Sequence, residues 1–229
     1  MEAQFITGTG TDIGKTWLAC ALLRHWRSEG RRVAAFKPVV SGFDALHPAA
    51  SDAGQFLAAL GRAVSTAGLD AIAPWRFAAP LSPDMAAALE GRGIDFDELV
   101  VFTRQAIAAP ERPLLIEGVG GVMAPLDARH TVRDWIAASG LPCVLVSGSY
   151  LGSLSHTLTA LEALAKVPGG TQSAGAGVTA IVVNETPGSA VELDATLEAL
   201  ARHAGGIPLV AIARDSPQAG IACLAKLLC

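Results

Sequence analysis

The chain has 229 residues, of which 51% are hydrophobic, and we interpret residues 1–229 as one α/β domain with a large buried core. Its formal net charge is −4 and its 17 Lys and Arg residues are scattered, so no nucleic-acid-binding surface is expected. No stretch approaches the roughly 20 apolar residues that span a bilayer, so we expect a cytoplasmic protein without membrane contact.

Short apolar runs alternate with amphipathic segments along the chain, which predicts a mostly parallel sheet flanked by helices. In chain order, the predicted elements are a strand at Gln4–Thr7, a helix at Lys15–Ser28, a strand at Val33–Lys37, helices at Asp52–Leu60, Pro83–Glu90 and Asp95–Ala108, a strand at Leu114–Glu117, a helix at Val132–Ala138, a strand at Cys143–Ser147, a helix at Ser155–Ala165, a strand at Ile181–Asn184, a helix at Ala190–Ala204, a strand at Leu209–Ile212 and a helix at Ile221–Leu227.

Two of these helices begin with a capping-box pattern, in which a hydroxyl residue precedes an acidic residue by three positions. Thr131 with Asp134 fits that spacing, and so does Ser189 with Glu192.

The stretch Pro168–Gly177 is rich in Gly, Ser and Ala, and its composition predicts a flexible surface loop.

The cysteines and histidines form no pattern that indicates a metal site or a catalytic triad. Cysteines 20, 143, 223 and 229 have no close metal-ligand spacing, so we interpret them as reduced thiols, with only Cys229 exposed. The five histidines likewise lack ligand spacing, and the absence of a Gly-x-Ser-x-Gly elbow argues against a Ser–His–Asp hydrolase.

A glycine-rich segment, Gly8–Thr16, lies between the first predicted strand and the first predicted helix. Backbone N–H groups of such a loop can bind phosphate oxygens, a lysine can reach the outer phosphates and a hydroxyl can bind Mg²⁺. Lys15 and Thr16 supply the last two groups. The spacing is irregular, because the usual pattern would place a glycine at Thr9, and Gly8 lies one residue too early. The segment nevertheless predicts a site for a nucleoside triphosphate.

Polar residues stand where the other predicted strands end. In an open parallel sheet, ligands bind at the carboxyl ends of the strands, so side chains that are distant in sequence are expected to meet at one edge. Beyond Gly8–Thr16, the residues concerned are Lys37, Glu117, Ser147, Asn184 and Arg214.

Three of the charged residues in this region have both a functional and a structural interpretation. Lys37 ends an apolar strand, where it could neutralise charge during phosphoryl transfer or could extend its ammonium to solvent. Glu117 could bind Mg²⁺ or cap a neighbouring helix, and glycines follow it directly. Asp52 follows Ser51 and could serve equally well as a ligand or as part of a helix cap.

The order and spacing of the motifs resemble those of the dethiobiotin synthetase family. The similarity covers the chain from Gly8 to about Pro217, and the family's own phosphate loop shares the irregular spacing noted above. The motifs that carry it are Gly8–Thr16, Lys37-Pro38-Val39, Ser41-Gly42, Ser51-Asp52, Pro80-Leu81-Ser82-Pro83, Glu117-Gly118-Val119-Gly120-Gly121 and Asn184.

The resemblance implies a P-loop NTPase-like fold and an enzyme that closes a ureido ring. Its substrates would be 7,8-diaminopelargonic acid, CO₂ and ATP, with Mg²⁺ as cofactor, and it would act as a homodimer with the substrate site near the interface. Lys15 and Lys37 would be catalytic, and Thr16, Asp52 and Glu117 would bind the metal. The residues implied for ATP are Asp12, Ile13, Gly14, Lys15, Thr16, Trp17, Asp52, Glu117, Gly118, Val119, Gly120 and Asn184, and those for the substrate are Thr11, Lys37, Ser41, Gly121 and Ser155.

The chain departs from the family pattern on the substrate side. Asp84 stands where the family usually has His, Ser155 stands where it usually has Asn, and the segment around Arg214 lacks the usual proline. Two alternative functions share the loop. One is a related amide-forming ligase, although this chain has no room for an ammonia-producing domain. The other is a nucleotide-dependent switch, whose loop carries an additional lysine where this chain has Gly10 and Thr11.

Overall fold

A computed structural model describes residues 2–166 and 177–229. Six parallel strands form the central sheet in the order β2-β5-β1-β6-β7-β8, and β3 pairs with β4 in a separate parallel ribbon. The predicted loop Pro168–Gly177 lies outside the described residues, except for Gly177. The strands are β1 (Ala3–Gly8), β2 (Ala34–Phe36), β3 (Val39–Ser41), β4 (Trp75–Phe77), β5 (Leu114–Glu117), β6 (Cys143–Gly148), β7 (Val178–Asn184) and β8 (Leu209–Ile212).

Helices cover both faces of this sheet. Helices α1, α2, α3 and α9 share one apolar cluster with the sheet, whereas α4 to α7 share a cluster on the other face and α8 packs beside β7. A short 3₁₀ helix at Pro48–Ala50 precedes α2. The α-helices are α1 (Lys15–Ser28), α2 (Asp52–Ala59), α3 (Thr66–Ile72), α4 (Pro83–Leu89), α5 (Phe96–Ile107), α6 (Val132–Ser139), α7 (Ser153–Ala165), α8 (Leu193–Ala201) and α9 (Gln218–Leu227).

The two clusters follow from the pleat of the strands, because successive side chains point to opposite faces. On β1, Phe5 packs in the cluster with α5 and α6, whereas Ile6 packs in the cluster with α1 and α2. On β6, Leu145 and Val146 divide in the same way. Strands that are buried on both faces read as continuous apolar runs, which is why the sequence shows them so clearly.

The predicted fold class is confirmed, and the main errors concern short elements and helix starts. Helix α3 and strands β3 and β4 were not predicted, since seven- and three-residue segments are too short to show a periodicity. The predicted helix at Ala190–Ala204 begins only at Leu193, because the Ser189 hydroxyl accepts from the Val191 amide in a turn and forms no capping box. The Thr131–Asp134 capping box is present as predicted.

Two further predictions need correction. Helix α7 begins at Ser153, two residues before the predicted start, because Gly152 adopts the left-handed conformation and acts as its N-cap. Cys223 is exposed together with Cys229, because it lies on a solvent-facing side of α9, whereas Cys20 and Cys143 are buried as free thiols. Within residues 2–166 and 177–229, no helix combines the length and apolar character that crossing a membrane requires.

Candidate active site

A cleft of about 1220 Å³ opens at the carboxyl ends of the central strands. The loop between β1 and α1 forms its floor, and segments that follow β2, β3 and β5 form its walls. The first turns of α7 close one side through His156, Thr159 and Ala160. Of the strand-end residues expected to meet at this edge, Lys37 and Glu117 line the cleft, whereas Ser147, Asn184 and Arg214 lie outside its lining.

The loop between β1 and α1 has the conformation that a phosphate site needs. Gly14 has a φ of 87° and is the N-cap of α1, so the loop turns sharply and presents the helix N-terminus to the cleft. A Cβ at Gly14 would lie 2.6 Å from the Asn184 amide nitrogen, so only glycine fits. Asp12 also has a left-handed φ of 57°, which Asp tolerates better than most residues.

Lys15 is the first residue of α1, and its ammonium points back to the loop that precedes the helix. Its Nζ donates a hydrogen bond of 2.6 Å to the Gly10 carbonyl oxygen, and the residue is only 6% exposed. Burial, followed by the neighbouring charge of Lys37, lowers the pKa of Lys15 to about 8, against the opposing effect of Glu117, Asp52 and Asp12. Within the part of the chain that the structure describes, Lys15 is thus a buried cation with no carboxylate partner of its own.

A second group of charged and polar side chains surrounds the Lys37 ammonium. The Lys37 ammonium, directly after β2, donates to Glu117 Oε1 at the end of β5 and lies 3.2 Å from Asp52 Oδ2 at the start of α2. Thr16, at the start of α1, donates its hydroxyl proton to the same Glu117 oxygen over 2.7 Å. Lys37 also donates to the Gly118 carbonyl oxygen at 2.8 Å. These contacts bring together all three of the predicted metal-binding side chains.

The electrostatics of this group depend on burial and on pairing. Burial would lower the pKa of Lys37, but the carboxylates of Glu117 and Asp52 outweigh that effect and raise it, so the lysine is charged. Burial raises the pKa of Glu117, while Lys37 and Thr16 act in the opposite direction. Glu117 Oε2 is buried and has no hydrogen-bond partner within residues 2–166 and 177–229. A buried carboxylate oxygen without a hydrogen-bond donor can accept a cation as its partner.

Asn184 is the last residue of β7, and its side chain contacts the loop between β1 and α1. Its Nδ2 donates to the Ile13 carbonyl oxygen at 2.7 Å, which pins the loop just before Gly14. Its Oδ1 is buried and has no hydrogen-bond partner among the described residues. One of the two Nδ2 protons is therefore used by the protein, and the Oδ1 acceptor is unpaired.

Most of the predicted site residues line the cleft. Ser41 reaches it because β3 and β4 form their own ribbon beside the sheet, and its hydroxyl oxygen is buried without a partner. Ile13, Gly118 and Asn184 lie behind the lining, and Ser155 is exposed on α7 outside it. The predicted residues in the lining are Thr11, Asp12, Gly14, Lys15, Thr16, Trp17, Lys37, Ser41, Asp52, Glu117, Val119, Gly120 and Gly121.

Some residues of the cleft were not singled out from the sequence. Gln55 lies one helical turn after Asp52, and that spacing could have indicated it. Met123 follows the glycine run and is half exposed in the cleft wall. His156 lines the opposite wall with its Nδ1 2.9 Å from the Tyr150 hydroxyl, and no sequence signal separates it from the other histidines.

Two solved structures share the fold of this chain. The hydrogenase maturation factor HypB from Archaeoglobus fulgidus aligns with 99% of this chain and 90% of its own, with a TM-score of 0.57 and 13% identity. The septum site-determining protein MinD from Pyrococcus horikoshii, solved with Mg-ADP, aligns with 99% and 94%, with a TM-score of 0.55 and 15% identity. At these identities the likeness concerns the fold alone.

Comparison of sequences is more specific. A family model described as an AAA domain matches residues 2–218. The ATP-dependent dethiobiotin synthetase of Acidiphilium cryptum is 47% identical over 95% of both chains. That of Methylobacterium nodulans is 46% identical over 93% of this chain and 94% of its own, and that of Phenylobacterium zucineum is 42% identical over 100% and 95%. The chain therefore belongs to the family of ATP-dependent dethiobiotin synthetases.

Proposed function

We propose that the cleft closes the ureido ring of dethiobiotin from 7,8-diaminopelargonic acid, CO₂ and ATP, using the residues described above. The observation that supports it best is the pair of buried lysines, Lys15 and Lys37, beside a phosphate loop and two carboxylates. Such a site can position anions and neutralise their charge, which is what phosphoryl transfer between bound anions requires. The sequence similarity to enzymes named ATP-dependent dethiobiotin synthetase supports the choice of these substrates.

ATP would bind along the phosphate loop. The N-terminus of α1 would face the phosphates, and Lys15 would leave the Gly10 carbonyl to reach the β- and γ-phosphates. The free Oδ1 of Asn184 would accept from the exocyclic amine of adenine, because its Nδ2 is held by Ile13.

The chain's own oxygens fit a magnesium ion. Mg²⁺ usually takes only one or two carboxylates and completes its shell with water and substrate phosphates. Thr16 Oγ1, Asp52 and the unpartnered Oε2 of Glu117 are suited to this role. Across the described residues, no three His, Cys, Asp or Glu side chains form a richer metal site, which agrees with a phosphate-completed Mg²⁺ rather than a protein-enclosed ion. When bound, the ion would neutralise charge on the phosphates.

The reaction would proceed without a covalent enzyme intermediate. One substrate amine adds to CO₂ and loses a proton to give a carbamate, which Lys37 would stabilise as an anion in line with the γ-phosphate. The carbamate oxygen takes the phosphoryl group and ADP leaves, while Lys15 neutralises the charge on the transferred group. The second amine then attacks the mixed anhydride, closes the ring and expels phosphate. Ser41 and Thr11 would contact the diamine from the cleft wall.

We also propose that the enzyme acts as a homodimer in the cytoplasm. Leu151 is 90% exposed and Leu154 is 39% exposed, and both lie at the start of α7 next to Ser155. A second subunit that covers these apolar side chains would bring Ser155 close to a substrate site. The free, buried thiols of Cys20 and Cys143 suit a reducing compartment.

The test is an assay that couples two products. Purified protein with ATP, Mg²⁺, bicarbonate and the diamine should release phosphate in equal amounts with dethiobiotin. Lys37→Ala should retain nucleotide affinity and lose most of the turnover, whereas Lys226→Ala, which removes an exposed lysine on α9, should change neither. Phosphate release that is independent of the diamine and gives no ring product would refute the proposal.

A further inference from the structure

The Lys37 ammonium is surrounded by protein oxygens, with which it forms two hydrogen bonds and a further ion pair. An ammonium group has three N–H donors, and here they face Glu117 Oε1, Asp52 Oδ2 and the Gly118 carbonyl oxygen. The Lys37 side chain is 3% exposed. A lysine that is to stabilise a carbamate must therefore first give up one of these partners.

The two carboxylates that hold Lys37 are also the ones suited to a metal ion, Asp52 directly and Glu117 through its other oxygen, Oε2. Asp52 and Glu117 carry two negative charges, and the ammonium of Lys37 supplies the positive charge that allows the buried Glu117 carboxylate and the partly exposed Asp52 carboxylate to lie close together. A divalent cation bound by the same carboxylates would repel the ammonium and would replace its attraction. The two cations thus compete for one pair of carboxylates.

We propose that Lys37 is the resident counter-ion of the metal ligands, and that metal binding displaces its ammonium from Asp52 into the cleft. The lysine then becomes available to an anionic substrate only after the metal and nucleotide are in place. Asp52 is the partner that gives way, because its contact is the longest at 3.2 Å and its side chain is 39% exposed, whereas Glu117 is fully buried. The inference rests on the magnesium site proposed above.

Lys15 provides a matched control, because it is a second buried lysine in the same cleft. Its ammonium contacts a carbonyl oxygen of its own loop rather than either carboxylate. Replacing Lys15 removes one positive charge from the region without removing the competitor. A difference between the two lysine variants therefore separates direct competition from a general effect of charge.

The first experiment measures metal affinity without nucleotide. Mn²⁺ would replace Mg²⁺ as the probe, and free Mn²⁺ would be followed by electron paramagnetic resonance. We expect Lys37→Met to bind Mn²⁺ at least about tenfold more tightly than the unchanged protein, and Lys15→Met to show a clearly smaller gain. Equal gains in the two variants, or no gain in Lys37→Met, would overturn the proposal.

An Asp52→Asn variant distinguishes failure of this inference from failure of the metal site. If Mn²⁺ affinity is the same in Asp52→Asn as in the unchanged protein, the proposed metal ligands are wrong. If Asp52→Asn weakens binding but Lys37→Met does not strengthen it, the metal site stands and only the exchange is wrong.

Lys37→Met leaves Glu117 buried without its counter-ion and could fail to fold, so a second measurement uses the unchanged protein. An ammonium with three acceptors exchanges its protons slowly and should give a ¹⁵N signal that Lys37→Arg removes. We expect Mg²⁺ with ADP to shift or abolish this signal and ADP alone to leave it in place. A signal that Mg²⁺ with ADP leaves unchanged would refute the exchange.

Discussion

Replacement of Gly14 by alanine tests the geometry of the phosphate loop directly. The residue has a φ of 87°, where a side chain is strained, and it closes the loop at the first turn of α1. A Cβ at this position would lie 2.6 Å from Asn184 Nδ2. The amide would have to move, and its hydrogen bond to the Ile13 carbonyl oxygen would be lost. One methyl group thus affects both the backbone and the contact that pins the loop.

The expected cost has two parts. A left-handed backbone costs an alanine about 1–2 kcal/mol, and losing one hydrogen bond costs about 1 kcal/mol. Their sum, about 2–3 kcal/mol, corresponds to a decrease in Tm of about 4–12 °C for a chain of this size. Any change that alanine makes to the unfolded chain is common to every Gly→Ala variant and cancels when two such variants are compared.

Gly10 is the matched control in the same loop. It does not adopt a positive φ, and a Cβ there would have no heavy atom within 4 Å. Urea unfolding without ligands should therefore show Gly14→Ala less stable than Gly10→Ala by about 2–3 kcal/mol. Calorimetry should also show weaker ATP binding by Gly14→Ala than by the unchanged protein. Two variants of equal stability would refute the assigned role of Gly14.

Two further predictions concern other parts of the chain. Asp134→Ala should cost about 1 kcal/mol at neutral pH, because it removes the capping box of α6. Burial opposes the shift, but hydrogen bonds from Thr131 lower the pKa of Asp134 from 3.8, so the difference from the unchanged protein should shrink as the pH falls below that value. A difference that persists in acid would contradict this assignment. ATP should be used with a kcat/KM at least about tenfold above that for GTP, because the free Asn184 acceptor cannot bond the guanine carbonyl. Equal values for the two nucleotides would show that Asn184 does not read the base.

The architecture was predictable because its main signals are local. The buried strands read as apolar runs, and the Gly8–Thr16 segment carries its own turn and helix start. Lys37 and Glu117 were found because each stands at the carboxyl end of a strand, and the parallel sheet brings such positions together. The placement of these residues needed only the order of the strands and their direction.

Other features depend on contacts that a sequence does not display. Asp52 is indistinguishable from an ordinary capping residue until α2 folds back and brings its carboxylate to Lys37. The start of α7 depends on the left-handed conformation of Gly152, and glycine alone does not specify which way the chain turns. His156 enters the cleft wall only because α7 packs beside it. For Asp52 and His156 the deciding contacts join separate elements, whereas for Gly152 the deciding feature is a local backbone conformation.

The different surroundings of Lys15 and Lys37 explain how one cleft can bind phosphate first and a second anion, the carbamate, afterwards. Lys15 has only a carbonyl oxygen as a partner, and burial lowers its pKa to about 8, so phosphate oxygens would supply the negative charge that its surroundings lack. Lys37 already has two carboxylates, and its pKa is raised. It therefore gains little from an anion until another cation takes its place. Lys15 should accordingly contribute most of the binding energy for the nucleotide. Lys37 should supply the positive charge that stabilises the carbamate.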